Sequence, residues 1–435
     1  MVKIENLRIE NFRRFESLEI DFHPELTVII AQNGQGKTSL LDACSIALGT
    51  FVGAFDFGRS KHIEVKDARY KRLPNSVNNE QQFPVKVSAT YTDPALKISR
   101  QLNGLKSRTT VKDAESLTHH GKQLGEKVRE LEQATLPVMA YFGAGRLWIT
   151  HKNASRKSVL STSRTMGYED CLSSASNFKQ MQQWMMKATY AALQQREMGG
   201  YETYNLSSQL TAVKNTVDKI LETAGWSNFH YSMSHEELAM QHEELGILPV
   251  SMLSDGVRAM VSLAADLSWR CVKLNPHLGV GAPLQTEGIV MLDEVDMHLH
   301  PEWQQTVIHS LRTAFPKVQF IVTTHSPQVL STVPKECIRL IGNNAAGQTI
   351  ASEPLAFSYG EPSGDILQSI MQVDPQPPVP EKKMLDELTS LVDQGEYKSP
   401  RADELLEELS ARLNERHPQL GKIRRSIRRQ EALNG

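Results

Sequence analysis

The 435-residue chain is too long for one simple core, and its 40% hydrophobic and 23% charged content is that of a soluble globular protein. No apolar run reaches membrane-span length, so no membrane partner is expected, and a formal charge of -2 excludes a nucleic-acid binder that relies on bulk positive charge. The four cysteines (Cys44, Cys171, Cys271, Cys337) form no close pair, which supports neither a zinc site nor a disulfide framework and predicts a reducing, cytoplasmic setting.

In chain order, Met1 to Arg14 alternates charged and apolar side chains, as a strand does and a secretion signal does not. Ile4, Leu7 and Ile9, then Leu18 and Ile20, then the run Leu26 to Ile30 predict successive strands. The next segment is Ala31-Gln32-Asn33-Gly34-Gln35-Gly36-Lys37-Thr38, and a helix-like run from Ser39 to Leu48 follows and stops at Gly49. Strand, glycine loop and helix in that order are the setting of a phosphate-binding loop. Gly34 and Gly36 lack Cβ, so backbone N–H groups between Asn33 and Ser39, Gln35 among them, can close around the phosphates of ATP. Lys37 would reach the β- and γ-phosphates, the Thr38 hydroxyl would hold Mg2+, and the helix N-terminus favours an anion. Ala31 stands where the general pattern has glycine, which narrows backbone choice there without abolishing the loop.

Residues 50–80 are polar, with Pro74-Asn75-Ser76 as a loop signal. Val85, Val87, Ala89 and Tyr91 alternate, a turn follows at Asp93-Pro94, and Leu96 and Ile98 alternate again, which predicts a hairpin. Leu136 to Phe142 is a further apolar strand, closed by Gly143-Ala144-Gly145-Arg146. Arg146 is either a phosphate or partner contact or a surface arginine after a glycine turn. Residues 1–149 are thus a first lobe. Over 150–245 the chain becomes rich in Gln, Met, Ser and Ala, with helical spacing at Trp184, Met185, Ala188 and Ala192. This predicts a helical insertion too short for a coiled-coil arm, with Met181, Met185 and Met186 as core filler.

A second lobe is expected over 246–373. Ile289 to Leu292 has the continuous apolar character of a buried parallel strand. Asp293 and Glu294 stand at its carboxyl end, where open α/β sheets bind ligands. Asp293 is expected to contact Mg2+, directly or through water, and Glu294 to act as general base toward the attacking water. The plainer alternative is a carboxylate pair capping a strand. His298 and His300 lie two apart with no third ligand nearby, which favours packing or hydrogen bonding over metal binding. A second buried strand, Val318 to Thr323, ends at Thr324-His325-Ser326-Pro327. The last segment, 374–435, opens with a proline-rich linker and continues as helices whose stripes (Leu385, Leu388, Leu391, Val392; Leu405, Leu406, Leu409, Leu413) need cover from the core or from another chain. Its Lys422, Arg424, Arg425, Arg428 and Arg429 form either a solvated helix face, the commoner case, or a nucleic-acid contact.

Together these residues resemble a family. Leu253-Ser254-Asp255-Gly256-Val257 resembles the signature loop of ABC-type ATPases, Asp296 matches their D-loop and His325 their switch histidine. Leu7-Arg8-Ile9-Glu10-Asn11-Phe12-Arg13 is similar to the start of RecF- and SMC-like ATPases, and Asp293-Glu294-Val295-Asp296-Met297-His298-Leu299-His300-Pro301 to their compact relatives of the OLD and PtuA types. The resemblance implies an α/β ABC-type P-loop ATPase head, a mixed β-sheet with helices, carrying a helical insertion and a helical C-terminal tail. It implies ATP and Mg2+ as ligands and a homodimer or higher homo-oligomer of heads. Ser254 and the Gly256 N–H would then meet the γ-phosphate in trans, and His325 would sense it in cis. Asp255 adds a negative charge where many relatives have a small residue, and no clear Q-loop glutamine follows the strand at 136–142. A Toprim nuclease domain is not expected. Ser358-Tyr359-Gly360 through Asp365-Ile366-Leu367, with the linker and tail, looks most like PtuA-type ATPases of Septu and retron-associated antiphage systems, which implies an HNH-type nuclease partner. Two other readings stay open: a RecF/SMC-like repair ATPase acting directly on DNA, and a nucleotide-locked scaffold with negligible turnover.

Overall fold

The computed structural model describes residues 2–72, 79–145, 163–174, 178–198, 204–414 and 417–434. The chain opens with β1 (Lys3–Phe12), β2 (Phe15–Asp21) and β3 (Leu26–Ile30), then α1 (Lys37–Val52). Short strands β4 (Tyr70–Arg72) and β5 (Asn79–Gln81) precede β6 (Val85–Thr92), β7 (Leu96–Leu102), α2 (Glu115–Arg129) and β8 (Val138–Phe142). Next come α3 (Phe178–Met198), α4 (Tyr204–Leu221), β9 (Trp226–Ser232), β10 (Glu237–His242) and β11 (Gly246–Pro249). The order continues α5 (Asp255–Leu274), α6 (Ala282–Gln285), β12 (Gly288–Leu292), α7 (Pro301–Ala314), β13 (Val318–Thr323), α8 (Pro327–Leu330), β14 (Ile338–Asn343), β15 (Thr349–Ser352) and α9 (Ser363–Ser369). Helices α10 (Lys382–Asp393), α11 (Pro400–Leu413) and α12 (Pro418–Asn434) follow. Two compact units result, Met1–Ile366 and Leu367–Gly435.

The first unit is built on a six-stranded sheet in the order β15-β14-β3-β13-β12-β8. It is parallel except for β15, which runs antiparallel at one edge. Every residue of β3, β8, β12 and β13 is buried. That is why these segments are mostly apolar without alternation: a parallel strand covered on both faces has no solvent side to alternate with, and its few polar residues, such as Thr27 and Gln319, are buried too. In register, Thr323 lies beside Ile29 and Leu292 beside Val322. The carboxyl ends of β3, β12 and β13 are therefore level, and the loops leaving them converge.

An antiparallel sheet, β2-β1-β6-β7, carries the alternating segments. In β6 every second residue is buried, as a sheet with one core face requires. Two buried polar side chains tie the layers together. Gln319 of β13 donates to the Ile4 carbonyl at 2.8 Å and accepts from the Ile4 N–H at 2.9 Å. Arg100 of β7, fully buried, donates to the carbonyls of Ile46 (2.7 Å) and Lys61 (2.5 Å) and so pins α1 to this sheet. Burial lowers its pKa to about 10.

The segment 150–245 is not purely helical. It holds α3 and α4, with Met181, Trp184, Met185 and Ala188 buried, but from Trp226 it becomes β9 and β10, which form a three-stranded antiparallel sheet with β11. Residue pairs such as Phe229 with Tyr231 and Leu238 with Met240 repeat at period two, a strand signal that the Gln- and Met-rich composition masked. The loop signal at Pro74-Asn75-Ser76 lies outside the described residues.

The second unit corrects the expectation that the tail stripes need cover from the core or from another chain. Leu385, Leu388 and Val392 of α10, Leu405 and Leu409 of α11, and Leu420 and Ile423 of α12 bury one another in a single cluster. Three amphipathic helices suffice to close a small core when each contributes one stripe. The third stripe, carried among arginines, is what the sequence reading overlooked.

Candidate active site

Past Ile30 the backbone leaves the sheet and turns, with the Gln35 N–H donating to the Gln32 carbonyl at 3.1 Å. Gly34 (φ +72°) and Gly36 (φ +92°) both take the left-handed conformation that disfavours any Cβ. At Gly36 there is also no room. A Cβ would collide with the Phe15 ring and lie 2.9 Å from Arg14 Cδ. The β1–β2 turn thus clamps the loop, and Arg14 Nη1 donates to the Gly34 carbonyl at 2.5 Å. Neither Arg14 nor Phe15 was singled out from the sequence, because the contact spans two sheets.

Helix α1 starts without a side-chain cap and without an acidic residue in its first turn. By contrast, Ser326 caps α8, and the His300 side chain accepts from the Glu302 N–H at the start of α7. The first N–H groups of α1 thus have no side-chain acceptor of their own, the condition under which a helix start accommodates an anion. Lys37, 8% exposed, sits just there. Its ammonium donates to the Ala31 carbonyl at 3.2 Å and contacts His325 Nε2 at 2.5 Å, the imidazole nitrogen being the acceptor. Burial pulls the Lys37 pKa down, and the fields of Asp293, Glu294 and Asp296 oppose it.

The carboxylates arrive from β12. Asp293, 4% exposed, accepts from Thr38 Oγ1 at 2.8 Å and from Thr323 Oγ1 at 2.6 Å. The Thr323 hydroxyl also accepts from the Glu294 N–H at 2.8 Å. Glu294 itself is left-handed, with φ +50°. Next along, Thr324 Oγ1 donates to Asp296 Oδ1 at 2.5 Å and Ser326 Oγ to Gln304 Oε1 at 2.6 Å. A row of hydroxyls at the end of β13 therefore orients the whole carboxylate loop. Sequence reasoning missed this row, because Thr323 and Ser326 are ordinary residues until the register of β12 and β13 is known.

The residues of the phosphate-loop and carboxylate segments are thus brought together: Asn33 to Ser39 frame one side, and Asp293, Glu294 and His325 the other. The hydroxyl of Thr38 and a carboxylate oxygen of Asp293, side by side and supported by Thr323, form a hard oxygen pair of the kind Mg2+ takes together with substrate phosphates. No cluster of three or more His, Cys, Asp or Glu that could hold a metal occurs among the described residues, and His298 is simply exposed. All four cysteines are buried and free.

The signature-like segment lies at the start of α5. Leu253 is buried, whereas Ser254 and Asp255 are exposed. Asp255 has Arg258 at 3.5 Å, which offsets its charge. Gly256 and Val257 are buried, and a Cβ on Gly256 would lie 2.5 Å from the carbonyl oxygen of His298. The start of α5 therefore rests on the loop after the carboxylates, within the same chain. Arg146 lies outside the described residues.

Comparison with known proteins finds matches over most of the chain. A family model described as an AAA domain matches residues 6–224, and a second AAA-domain model matches residues 181–331. The chain is 23% identical to the Retron Vc95 "probable ATPase" of Vibrio cholerae serotype O1 biovar El Tor, over 93% of this chain and 86% of the relative. It is 26% identical to the Retron Ec83 "probable ATPase" of Escherichia coli, over 93% and 82%. It is 24% identical to the Septu protein PtuA of Bacillus mycoides strain KBAB4, over 74% of this chain and 38% of that longer protein.

Proposed function

The chain belongs to the AAA-domain family of ATPases, and from that premise we propose that it hydrolyses ATP at the site just described, as the motor or switch subunit of an antiphage defence system of the retron or Septu type. The observation that carries the reading is the continuous set Thr38–Asp293–Thr323–Glu294, which hydrogen bonds join across residues 255 positions apart. A phosphate loop and a carboxylate strand linked in this way have the chemistry of triphosphate hydrolysis.

In this reading the N–H groups of Asn33 to Ser39 and the Lys37 ammonium hold the phosphates. Lys37 exchanges its present contacts with Ala31 and His325 for the β- and γ-phosphate oxygens. Thr38 and Asp293 hold Mg2+, which supplies charge neutralisation of the phosphates when bound. Glu294 accepts the proton of the attacking water, and His325 contacts the γ-phosphate once Lys37 has moved away from it. Two heads pair face to face, and the exposed Ser254 of one head approaches the nucleotide of the other. Gly256, being seated on its own His298, contributes backbone N–H rather than open space. ATP closes the pair because only the triphosphate is gripped from both faces, and hydrolysis loosens it. The readout is passed to a partner nuclease of the HNH type.

The test is Glu294→Gln. We expect ATP and Mg2+ binding to persist, single-turnover hydrolysis to fall by about 10²–10⁴-fold, and paired heads to accumulate in light scattering with ATP. Ser254→Arg should abolish pairing and leave ATP affinity intact. Wild-type turnover in Glu294→Gln removes the base assignment, and unchanged pairing in Ser254→Arg removes the shared site. Co-expression with a neighbouring HNH-type protein and failure to recover a complex, with or without ATP, removes the nuclease partner.

A further inference from the structure

Helix α12 packs one face into the core of the second unit and carries a row of cations on the other. Leu420 and Ile423 are buried, and Ile427 packs against the same cluster. At 100° per residue the opposite face carries Lys422, Arg425, Arg428 and Arg429, all exposed, and no acid stands between them. The fifth basic residue of the run, Arg424, is excluded from this face: it is half-buried and its Nη2 donates to Ser410 Oγ at 2.9 Å. The other described arginines of the unit are ion-paired. Arg401 is held by Glu387 and Glu404, and Arg412 by Glu408 and Glu381. None of the four outward cations has a carboxylate within salt-bridge distance among the described residues.

We propose that this face is a docking surface for the phosphate backbone of a nucleic acid. From Lys422 to Arg429 the row spans about 10 Å of helix axis at ~1.5 Å per residue. Four like charges in that length call for a partner of equally dense opposite charge. A nucleic-acid duplex supplies about one phosphate per 1.7 Å of its axis. Three of the four cations are arginines, whose planar fork binds phosphate oxygens in pairs. A lipid surface fits less well, because an interfacial helix needs a free apolar face to insert, and the apolar face of α12 is already used in the core. The patch also reconciles nucleic-acid contact with a chain whose formal charge is -2.

The experiment uses the full chain with fluorescein-labelled duplexes of one sequence, as DNA and as RNA, in anisotropy titrations between about 50 and 200 mM salt. The wild type is expected to bind, with a log–log salt slope near -0.9 for each phosphate contact on DNA. Changing Lys422, Arg425, Arg428 and Arg429 together to Gln should weaken binding at least ~10-fold and flatten the slope by about two or more. Circular dichroism melting should be unchanged, because none of the four is in the core. The charge-conserving set Arg425→Lys, Arg428→Lys, Arg429→Lys should keep the salt slope and bind more tightly than the glutamine variant, though less tightly than the wild type. Preference between the two duplexes identifies the source of the phosphates. The proposal is overturned if the glutamine variant keeps wild-type affinity and slope. It is also overturned if the wild type binds phosphatidylserine vesicles but neither duplex. Lys37→Ala should bind the duplexes as the wild type does, which separates this surface from the ATP reading.

Discussion

Replacing Thr323 by valine removes one oxygen and almost no volume, yet that oxygen sits between both carboxylate positions. Its hydroxyl donates to Asp293 Oδ1 at 2.6 Å and accepts from the Glu294 N–H at 2.8 Å, in a residue with no exposed surface. Loss of the bond to the charged Asp293 costs about 1.5–3 kcal/mol, and loss of the hydroxyl that accepts from the Glu294 N–H up to about 1–3 kcal/mol. The two share one hydroxyl and do not add in full, so we expect a loss near 3 kcal/mol in stability. The functional effect follows from Glu294, whose backbone is held at φ +50°. A left-handed non-glycine residue costs on the order of 1–3 kcal/mol and persists only where its surroundings fix it. Without the Thr323 hydroxyl the Glu294 carboxylate drifts, and a misplacement of about 1 Å is enough for a loss on the order of 10²-fold. We expect kcat for phosphate release to fall about 10–100-fold, while Thr323→Ser, which keeps the oxygen, stays within a few-fold of wild type. A Thr323→Val protein with wild-type kcat and melting temperature, or a serine variant as impaired as the valine one, refutes the reasoning.

Further expectations concern packing. Gly256→Ala would place a Cβ 2.5 Å from the His298 carbonyl oxygen, so α5 or the carboxylate loop must shift. Overpacking of this kind costs about 1–3 kcal/mol, and it should lower the melting temperature of the nucleotide-free chain as well as slow hydrolysis. An effect seen only with ATP present would mean that the glycine serves the nucleotide alone. Asp266 and Arg270 form a buried pair at 3.0 Å, and Arg270 also donates to the Gly167 carbonyl at 2.8 Å. Asp266→Ala strands that guanidinium, and differential scanning calorimetry should show a loss of about 3–5 kcal/mol. In the second unit, Leu409→Ala empties a fully buried position. It should cost about 2–5 kcal/mol by chemical denaturation, and leave single-turnover ATP hydrolysis unchanged if the ATP site lies wholly in the first unit.

Legibility differed by feature, for reasons that particular residues show. The turn and helix start around Gly34, Gly36, Lys37 and Thr38 were legible because these residues lie within five positions and are locally constrained. The strand that ends at Asp293-Glu294 was legible because its short apolar run has the character of a parallel strand covered on both faces. The strands β9 and β10 escaped notice because their alternation is short and follows a long Gln- and Met-rich helix. The tail helices were legible one by one, but their mutual closure was not, since an apolar stripe looks the same whatever covers it.

The sequence by itself determined the local chemistry: which residues can wrap a phosphate, carry a carboxylate at a strand end, or leave an arginine row on a helix face. These depend on neighbours within a few positions and on periodicity. Only the tertiary structure decided what lies between them. The Thr323 hydroxyl spans Asp293 and Glu294, the turn at Arg14 and Phe15 closes on Gly36, and Gly256 seats on His298. The physical reason is strand register and interlayer contact. Both join residues tens to hundreds of positions apart, and both are fixed by the packing of the whole sheet rather than by any one segment.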